Sequence, residues 1–389
     1  MQMRSELFSS DRTRLKYIRL ALSLARRGHG MTSPNPMVGA VLLKGGKVIG
    51  RGWHRRAGGA HAEIEALRDA QKHGHNPKGA TLYVTLEPCC TQGRTPPCTG
   101  AIIAAGIKRV VIGATDPNPR HSGRAFRTLK CAGIEVVHGV MNEACVKLNE
   151  AFDHWIVHRT PLVTVKAAMT LDGKIATASG ESKWITGEPA RAYGMKLRHG
   201  ADAVLVGINT VLADDPGLTV RKQMADGRWQ MGKPIRRLVL DSLARTPVAA
   251  RIVNDKHAAL TTIVVSKRAP KNRVAALEKR VRVLVAPLAK SAIRNPQSAI
   301  NLRWLLKKLG AEKVTSLLVE GGGEVNASFL LGGLAHRIAF FYAPKILGGR
   351  DSRKAVAGDG AASLAEAIQL RDLEWRRLGL DLLLTARVQ

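Results

Sequence analysis

One soft-metal constellation constrains this chain more than any other feature: His61-Ala62-Glu63, then Glu87-Pro88-Cys89, then Cys98. One imidazole and two thiolates hold Zn²⁺ tetrahedrally and leave its fourth position open. Hydrolytic removal of an amine from a base needs a Lewis acid to activate water and a carboxylic acid to shuttle protons. His61, Cys89 and Cys98 are therefore expected to bind one zinc per chain, and Glu63 to be the acid/base group. Spacing adds a demand, because residues two apart inside a helix point about 200° apart. His61 and Glu63 can share a site only at a helix opening, and Gly58-Gly59-Ala60 just before them fits that. A closed structural knuckle would need a fourth ligand, which Cys90 could supply. Adjacent cysteines rarely reach one metal without strain, and Glu63 would then have no task, so Cys90 is expected to be a buried thiol or one that stands just behind the ligands.

The chain around these residues alternates strands with helices. Residues 1–10 are expected to fray, and 15–27 read as an amphipathic helix. Residues 38–53 read as a hairpin turning at Gly45-Gly46. Helix, strand, helix and strand follow, ending with a last helix and strand near Val140. After Ala151–Pro161 the pattern restarts with the strand LVTVKAAMT, a helix over Glu188–Arg198 and the strand ADAVLVG. Further strands (RRLVLDS, TTIVVS, VRVLVA, SLLVEGGG, RIAFFYAP) are followed by a closing pair, DLEWRRL and LDLLLTARV. A length of 389 residues and this restart predict two α/β domains, 12–150 and 161–389.

The loop EPCCTQGRTPPC puts eight residues between Cys89 and Cys98, where the common deaminase signature has two. Its end, Gly93-Arg94-Thr95-Pro96-Pro97-Cys98, resembles the bifunctional deaminase/reductase family of riboflavin biosynthesis. Ser33-Pro34-Asn35-Pro36-Met37-Val38-Gly39 matches another motif of that family. The resemblance implies a cytidine-deaminase-like zinc domain, with Asn35, His54 and Arg94 contacting a phosphorylated pyrimidine substrate. An amide suits a pyrimidine edge and a guanidinium suits phosphate; His54 could equally be a surface histidine. The family usually has Ser-His after the first cysteine. This chain has Cys90-Thr91, which removes an imidazole expected near the substrate.

No G-x-G-x-x-G follows a strand, so a Rossmann dinucleotide domain is not expected. The runs Val165–Lys174, Gly180–Thr186, Gly207–Val211, Asp214-Asp215-Pro216 and Leu218–Arg221 instead look like the same family's reductase, whose fold is dihydrofolate-reductase-like. The resemblance implies NADPH contacts from Ala168, Trp184, Thr210, Asp214 and Ser242. It adds the run Gly322, Gly323, Glu324, Val325, Asn326, Ala327 and Ser328. Ser182, Arg198, Leu218, Arg221 and Glu320 would hold the substrate. The glycine turn after SLLVE suits a phosphate cradle at a helix start. Arg198 and Arg221 suit clamps on a ribosyl phosphate. Lys166 is a polar partner for the sugar or else a solvated strand end, and Asp214 and Asp215 could equally form a turn before Pro216. Deamination of 2,5-diamino-6-ribosylamino-4(3H)-pyrimidinone 5′-phosphate, then reduction of the ribosyl group to ribityl, is the activity implied.

The formal net charge of +31 raises a rival reading, a nucleic-acid-editing deaminase with a basic RNA-binding C-terminal half. Both parts of the chain are basic, however: 23 cationic against 10 acidic residues up to position 150, and 38 against 20 beyond it. Aromatic residues, the stacking platforms RNA needs, make up only 4%. Nucleic acid is not expected as a partner; a homo-oligomer is. The polar N-terminus lacks a signal peptide's apolar core, no stretch is apolar enough to span a bilayer, and five cysteines are too few for a disulfide scaffold. A cytoplasmic enzyme follows, with Cys131 and Cys145 as core thiols.

Overall fold

Gly45 and Gly46 close the first hairpin at φ 55° and 78°, the positive values a tight two-residue turn of this hand needs. They join β1 (Gly39–Lys44) to β2 (Lys47–Trp53). The structure, a computed structural model, describes residues 2–91, 96–223, 229–289 and 300–389, and their side chains except those of 2–10, 222, 223 and 229. It divides into two compact units, Met1–Arg159 and Thr160–Gln389.

In the first unit, α1 (Gln2–Ala25) precedes the hairpin, and α2 (Ala62–Lys72), β3 (Thr81–Leu86), α3 (Cys98–Ala104), β4 (Arg109–Ala114), α4 (Arg124–Cys131), β5 (Glu135–Val137), α5 (Asn142–Leu148) and α6 (Glu150–His158) follow. The sheet runs β2-β1-β3-β4-β5; β1 is antiparallel to both neighbours and β3, β4 and β5 are parallel. Its strands are apolar on both faces because both are covered. Leu42, Leu82, Val84 and Ile112 pack with Ala66, Ile102 and Leu129 on one side. Val41, Tyr83 and Val111 pack with Ile18, Leu22 and Cys145 on the other.

Two expectations fail here. The first helix begins at Gln2, not near Leu15, because no glycine or proline between Gln2 and Ala25 stops it. Cys131, expected in the core, is exposed at the end of α4, while Cys145 is buried as read.

The second unit holds β6 (Leu162–Thr170), β7 (Lys174–Ala176), α7 (Glu188–Gly200), β8 (Ala203–Gly207), α8 (Ile208–Asp214), β9 (Arg221–Gln223), β10 (Trp229–Met231), β11 (Arg236–Leu240), α9 (Arg251–Asn254), β12 (Thr261–Ser266) and α10 (Lys271–Glu278). It continues with β13 (Arg282–Ala286), α11 (Leu302–Ala311), β14 (Ser316–Val319), α12 (Gly323–Leu330), β15 (Arg337–Ala343), β16 (Arg353–Lys354), β17 (Leu370–Leu378) and β18 (Asp381–Val388). A nine-stranded sheet is ordered β13-β12-β11-β8-β14-β6-β15-β18-β17. It is parallel through β15, and the closing hairpin β17–β18 adds antiparallel strands at one edge. Alternation again serves two buried faces: Leu205, Val264 and Val319 go to one core, and Val204, Val206, Ile263 and Val265 to the other. In such sheets ligands settle at the carboxyl ends of the strands. Here α8 starts directly from β8, and α12 starts three residues after β14, the neighbouring strand.

Candidate active sites

Three element ends bring the metal-type ligands of the first unit together. His61 caps α2 in an extended conformation (φ −74°, ψ 162°), so Glu63 lies in the first turn and the two side chains can share one site. Cys89 lies in the loop after β3, and Cys98 opens α3. Their ligand atoms all lie within 4.8 Å of one another, and among the described residues they are the one such group of three. His61 Nδ1 is 3.3 Å from Cys98 Sγ and 3.5 Å from Cys89 Sγ. Hydrogen bonds from the Cys98 thiol and from His61 outweigh burial and hold the Cys89 thiol well below its ordinary range. Its bonded partner Cys98 is pushed up. Two sulfurs sharing one proton beside an imidazole are a donor set ready to exchange that proton for a soft divalent cation. Cys90 is not in the group; its Sγ faces His121 Nδ1 at 3.6 Å.

Glu63 is 3% exposed, and burial followed by the charge on Cys89 pushes its carboxyl up to about 7. That value suits a group that both takes and gives a proton near neutrality. His54 is not a surface histidine. It is 2% exposed, its Nδ1 donates to the Ala60 carbonyl (3.0 Å), and its Nε2 accepts from the Asn35 amide (3.1 Å). Burial holds its pKa down, so the ring stays neutral and orients Asn35. The His54 and His61 rings meet edge to face at 5.5 Å, which sets Asn35 and His54 beside the metal-type ligands. Arg94 lies outside the described residues.

Sequence reasoning named Glu87 in the Glu87-Pro88-Cys89 run but gave it no role. Its buried carboxylate accepts from the backbone N–H groups of Asp116 (3.2 Å), Gly123 (2.9 Å) and Ala125 (3.0 Å), tying the loop after β4 to the Cys89 strand end. Its partners are backbone groups far along the chain, so the local pattern does not reveal its role.

In the second unit Glu320 follows β14 and is nearly buried. Arg198 on α7 grips it with Nε and Nη2 (2.5 and 2.9 Å), and Lys166 Nζ on β6 stands 3.6 Å away. Burial works to raise Glu320, but Arg198 and then Lys166 outweigh it and hold the carboxyl at about 2. Lys166 is thus not a solvated strand end. Arg198 also donates to the Thr219 carbonyl, so its guanidinium is committed to positioning Glu320. Arg221 opens β9 and is exposed. Leu218 is 4% exposed with its side chain in the core, leaving its backbone as the part that can meet a ligand.

The residues expected to hold a dinucleotide gather along the carboxyl ends of β6, β8, β11 and β14. They are Ala168, Thr210 and Asp214 on α8, Ser242 after β11, and the start of α12. A Cβ on Gly207 or Gly321 would meet Val325 at 2.8 and 2.5 Å, and one on Gly323 would meet the Lys354 carbonyl at 2.3 Å. These glycines let the two helix starts approach closely, which leaves first-turn N–H groups for a phosphate. The run 322–328 divides. Asn326 and Ala327 are buried, with the Asn326 amide donating to Ala355, and the Ser328 hydroxyl bonds back to Glu324. Trp184 is 65% exposed and stacks on Arg191; Asp214 pairs with Lys183 at 3.2 Å, and Asp215 accepts from the Arg251 N–H. Ser182 is half-buried between β7 and α7.

A buried carboxyl beside a His-Cys-Cys group, followed by a parallel-sheet unit with a glycine-rich helix start, defines a deaminase joined to a reductase. The family model for the cytidine and deoxycytidylate deaminase zinc-binding region matches residues 11–114, and that for the RibD C-terminal domain matches 161–384. Riboflavin biosynthesis proteins RibD of Aquifex aeolicus and Actinobacillus pleuropneumoniae are 44% and 42% identical to the chain. The alignments cover 95% and 96% of it, and 96% and 94% of theirs. A solved RibD from Acinetobacter baumannii superposes with a TM-score of 0.81 at 32% identity, covering 98% of this chain and 100% of its own. The Thermotoga maritima diaminohydroxyphosphoribosylaminopyrimidine deaminase/5-amino-6-(5-phosphoribosylamino)uracil reductase gives 0.80 at 34%, with the same coverage. The chain belongs to the RibD family of riboflavin-biosynthesis enzymes and carries its deaminase and reductase domains. An RNA-binding C-terminal half is set aside, since the reductase family accounts for that half. No helix among the described residues is long and apolar enough to cross a membrane.

Proposed function

We propose that residues 12–150 hydrolyse the exocyclic amine of 2,5-diamino-6-ribosylamino-4(3H)-pyrimidinone 5′-phosphate. Residues 161–389 then reduce the ribosyl group of the resulting 5-amino-6-(5-phosphoribosylamino)uracil to ribityl. The observation that carries the first half is the buried Glu63, at about 7, beside three convergent metal-type ligands. Zinc held by His61, Cys89 and Cys98 supplies Lewis-acid activation of water. Glu63 takes one proton from the attacking water and passes it to the ring nitrogen, then carries the second, from the hydroxyl so formed on the ring carbon, to the departing amine, which leaves as ammonia. Asn35, fixed by the neutral His54, has one amide N–H and its carbonyl left for the pyrimidine edge. Arg94 is assigned to the phosphate by its motif.

In the second unit, NADPH supplies the hydride when bound. First-turn N–H groups of α12 hold its phosphate, with Ala168, Trp184, Thr210, Asp214 and Ser242 along the same edge. Glu320, fixed as an anion by Arg198 and Lys166, accepts hydrogen bonds from sugar hydroxyls. Arg221 takes the substrate phosphate, with Ser182 and the Leu218 backbone as the other contacts that the family motifs assign.

Elemental analysis tests the metal assignment, with one zinc per chain expected at neutral pH. Cys89→Ser should lose the metal, and Cys90→Ser should keep it. The reverse pattern would make Cys90 the ligand.

A further inference from the structure

Thr91 stands where the resemblance leads one to expect an imidazole, yet the structure brings another histidine to the same strand end. The loop after β4 is fixed at both ends onto Glu87, two residues before Cys89, through the Asp116, Gly123 and Ala125 N–H groups. It is also tied within itself. The Asp116 carboxylate accepts from the Asn118 N–H (2.8 Å), the Asn118 side chain accepts from the Arg120 N–H (3.1 Å), and the His121 N–H donates to the Asn118 carbonyl (2.8 Å). His121 rides on this braced loop, half-buried, with Nδ1 3.6 Å from the Cys90 sulfur. Cys90 thus meets the ring, while its neighbour Cys89 belongs to the metal-type group. His121 Nε2 has no hydrogen-bond partner among the described residues.

Asn35 and His54 serve the His61 side of the site, so His121 marks the Cys89–Cys90 side. Exposed Arg120 precedes it on the loop, and exposed Arg124 opens α4 three residues after it. An imidazole N–H between two guanidinium-bearing residues matches an anion better than a neutral ring edge. We propose that His121 is a substrate-positioning residue of the deaminase, donating to the 5′-phosphate of the substrate and offsetting the imidazole that Thr91 lacks. This rests on the reading of the first unit as a deaminase of a phosphorylated ribosylaminopyrimidine.

The test is steady-state ammonia release by the full chain. The substrates are the diaminopyrimidine ribosylamine 5′-phosphate and the same compound without its phosphate. His121→Ala should raise KM for the phosphorylated substrate about tenfold, the scale of one hydrogen bond to a charged group, with kcat within about threefold. The dephosphorylated compound should show the same KM with either protein. His121→Asn, which keeps an N–H donor, should recover part of the loss. Thr91→His added to His121→Ala should restore most of it, changing KM more than kcat. Ammonia release by the unaltered chain is the separate check on the deaminase reading. Given that release, an unchanged KM in His121→Ala overturns the role of His121, as does an equal loss on both substrates, which would mark a merely structural residue.

Discussion

Glu63→Gln should retain its zinc and lose ammonia release by about 10²–10⁴-fold, the usual contribution of a general acid/base. The substitution keeps the side chain's shape and leaves His61, Cys89 and Cys98 untouched. What it removes is a group that can accept the proton of water and hand it on. The size of the loss follows from placement: Glu63 is 3% exposed in the first turn of α2, where bulk water is a poor substitute. Metal content measured on the same preparation separates this loss from loss of the site. A variant that keeps zinc and stays within about threefold of the parent rate would remove Glu63 from the chemistry.

Arg198→Ala should damage the other unit by a different route. It strands the Glu320 carboxylate, 10% exposed, with only Lys166 at 3.6 Å beside it. Removing one partner of such a buried pair costs roughly 3–5 kcal/mol. For a unit of this size that lowers its melting temperature by on the order of 10 °C. Reduction should fall with it, because Glu320 is no longer held in place, while ammonia release stays intact. Pairing Arg198→Met with Glu320→Gln should recover stability but not reduction, since the buried charge is gone along with the acceptor proposed for the sugar. The pH dependence has a definite sign. Glu320 titrates at about 2 in the folded chain, below its ordinary value. Its stabilisation is therefore complete above the ordinary carboxylate range and is lost as pH falls toward 2. Denaturant midpoints taken between neutral pH and pH 3 should drop less for Glu320→Gln than for the parent chain.

Much of this was legible in the sequence because it was local. The short apolar runs LYVTL and AVLVG marked strands, which the structure buries on both faces, and Gly45-Gly46 marked a turn. The His61–Glu63 spacing required a helix opening, and α2 opens there. What was not legible depended on distant partners. Glu87 acts on backbone groups 29 to 38 residues away, and His121 reaches Cys90 across 31 residues. Arg198 looked like a phosphate clamp because its partner Glu320 lies 122 residues on. Leu218 and Asn326 sit inside functional-looking runs, yet their side chains fill the interior. A motif gives membership of a run, whereas burial decides which side chains in it can touch a ligand.

The most direct measurement is NADPH oxidation by the Glu63→Gln chain supplied with 5-amino-6-(5-phosphoribosylamino)uracil. The residues proposed for reduction, from Lys166 to Ser328, all belong to the unit Thr160–Gln389, while Glu63 belongs to Met1–Arg159. Units with their own cores normally act independently. Oxidation at the parent rate, in a protein that releases no ammonia from the diamino substrate, is the result two separate sites require. Loss of both activities in a folded, zinc-containing Glu63→Gln chain would contradict them.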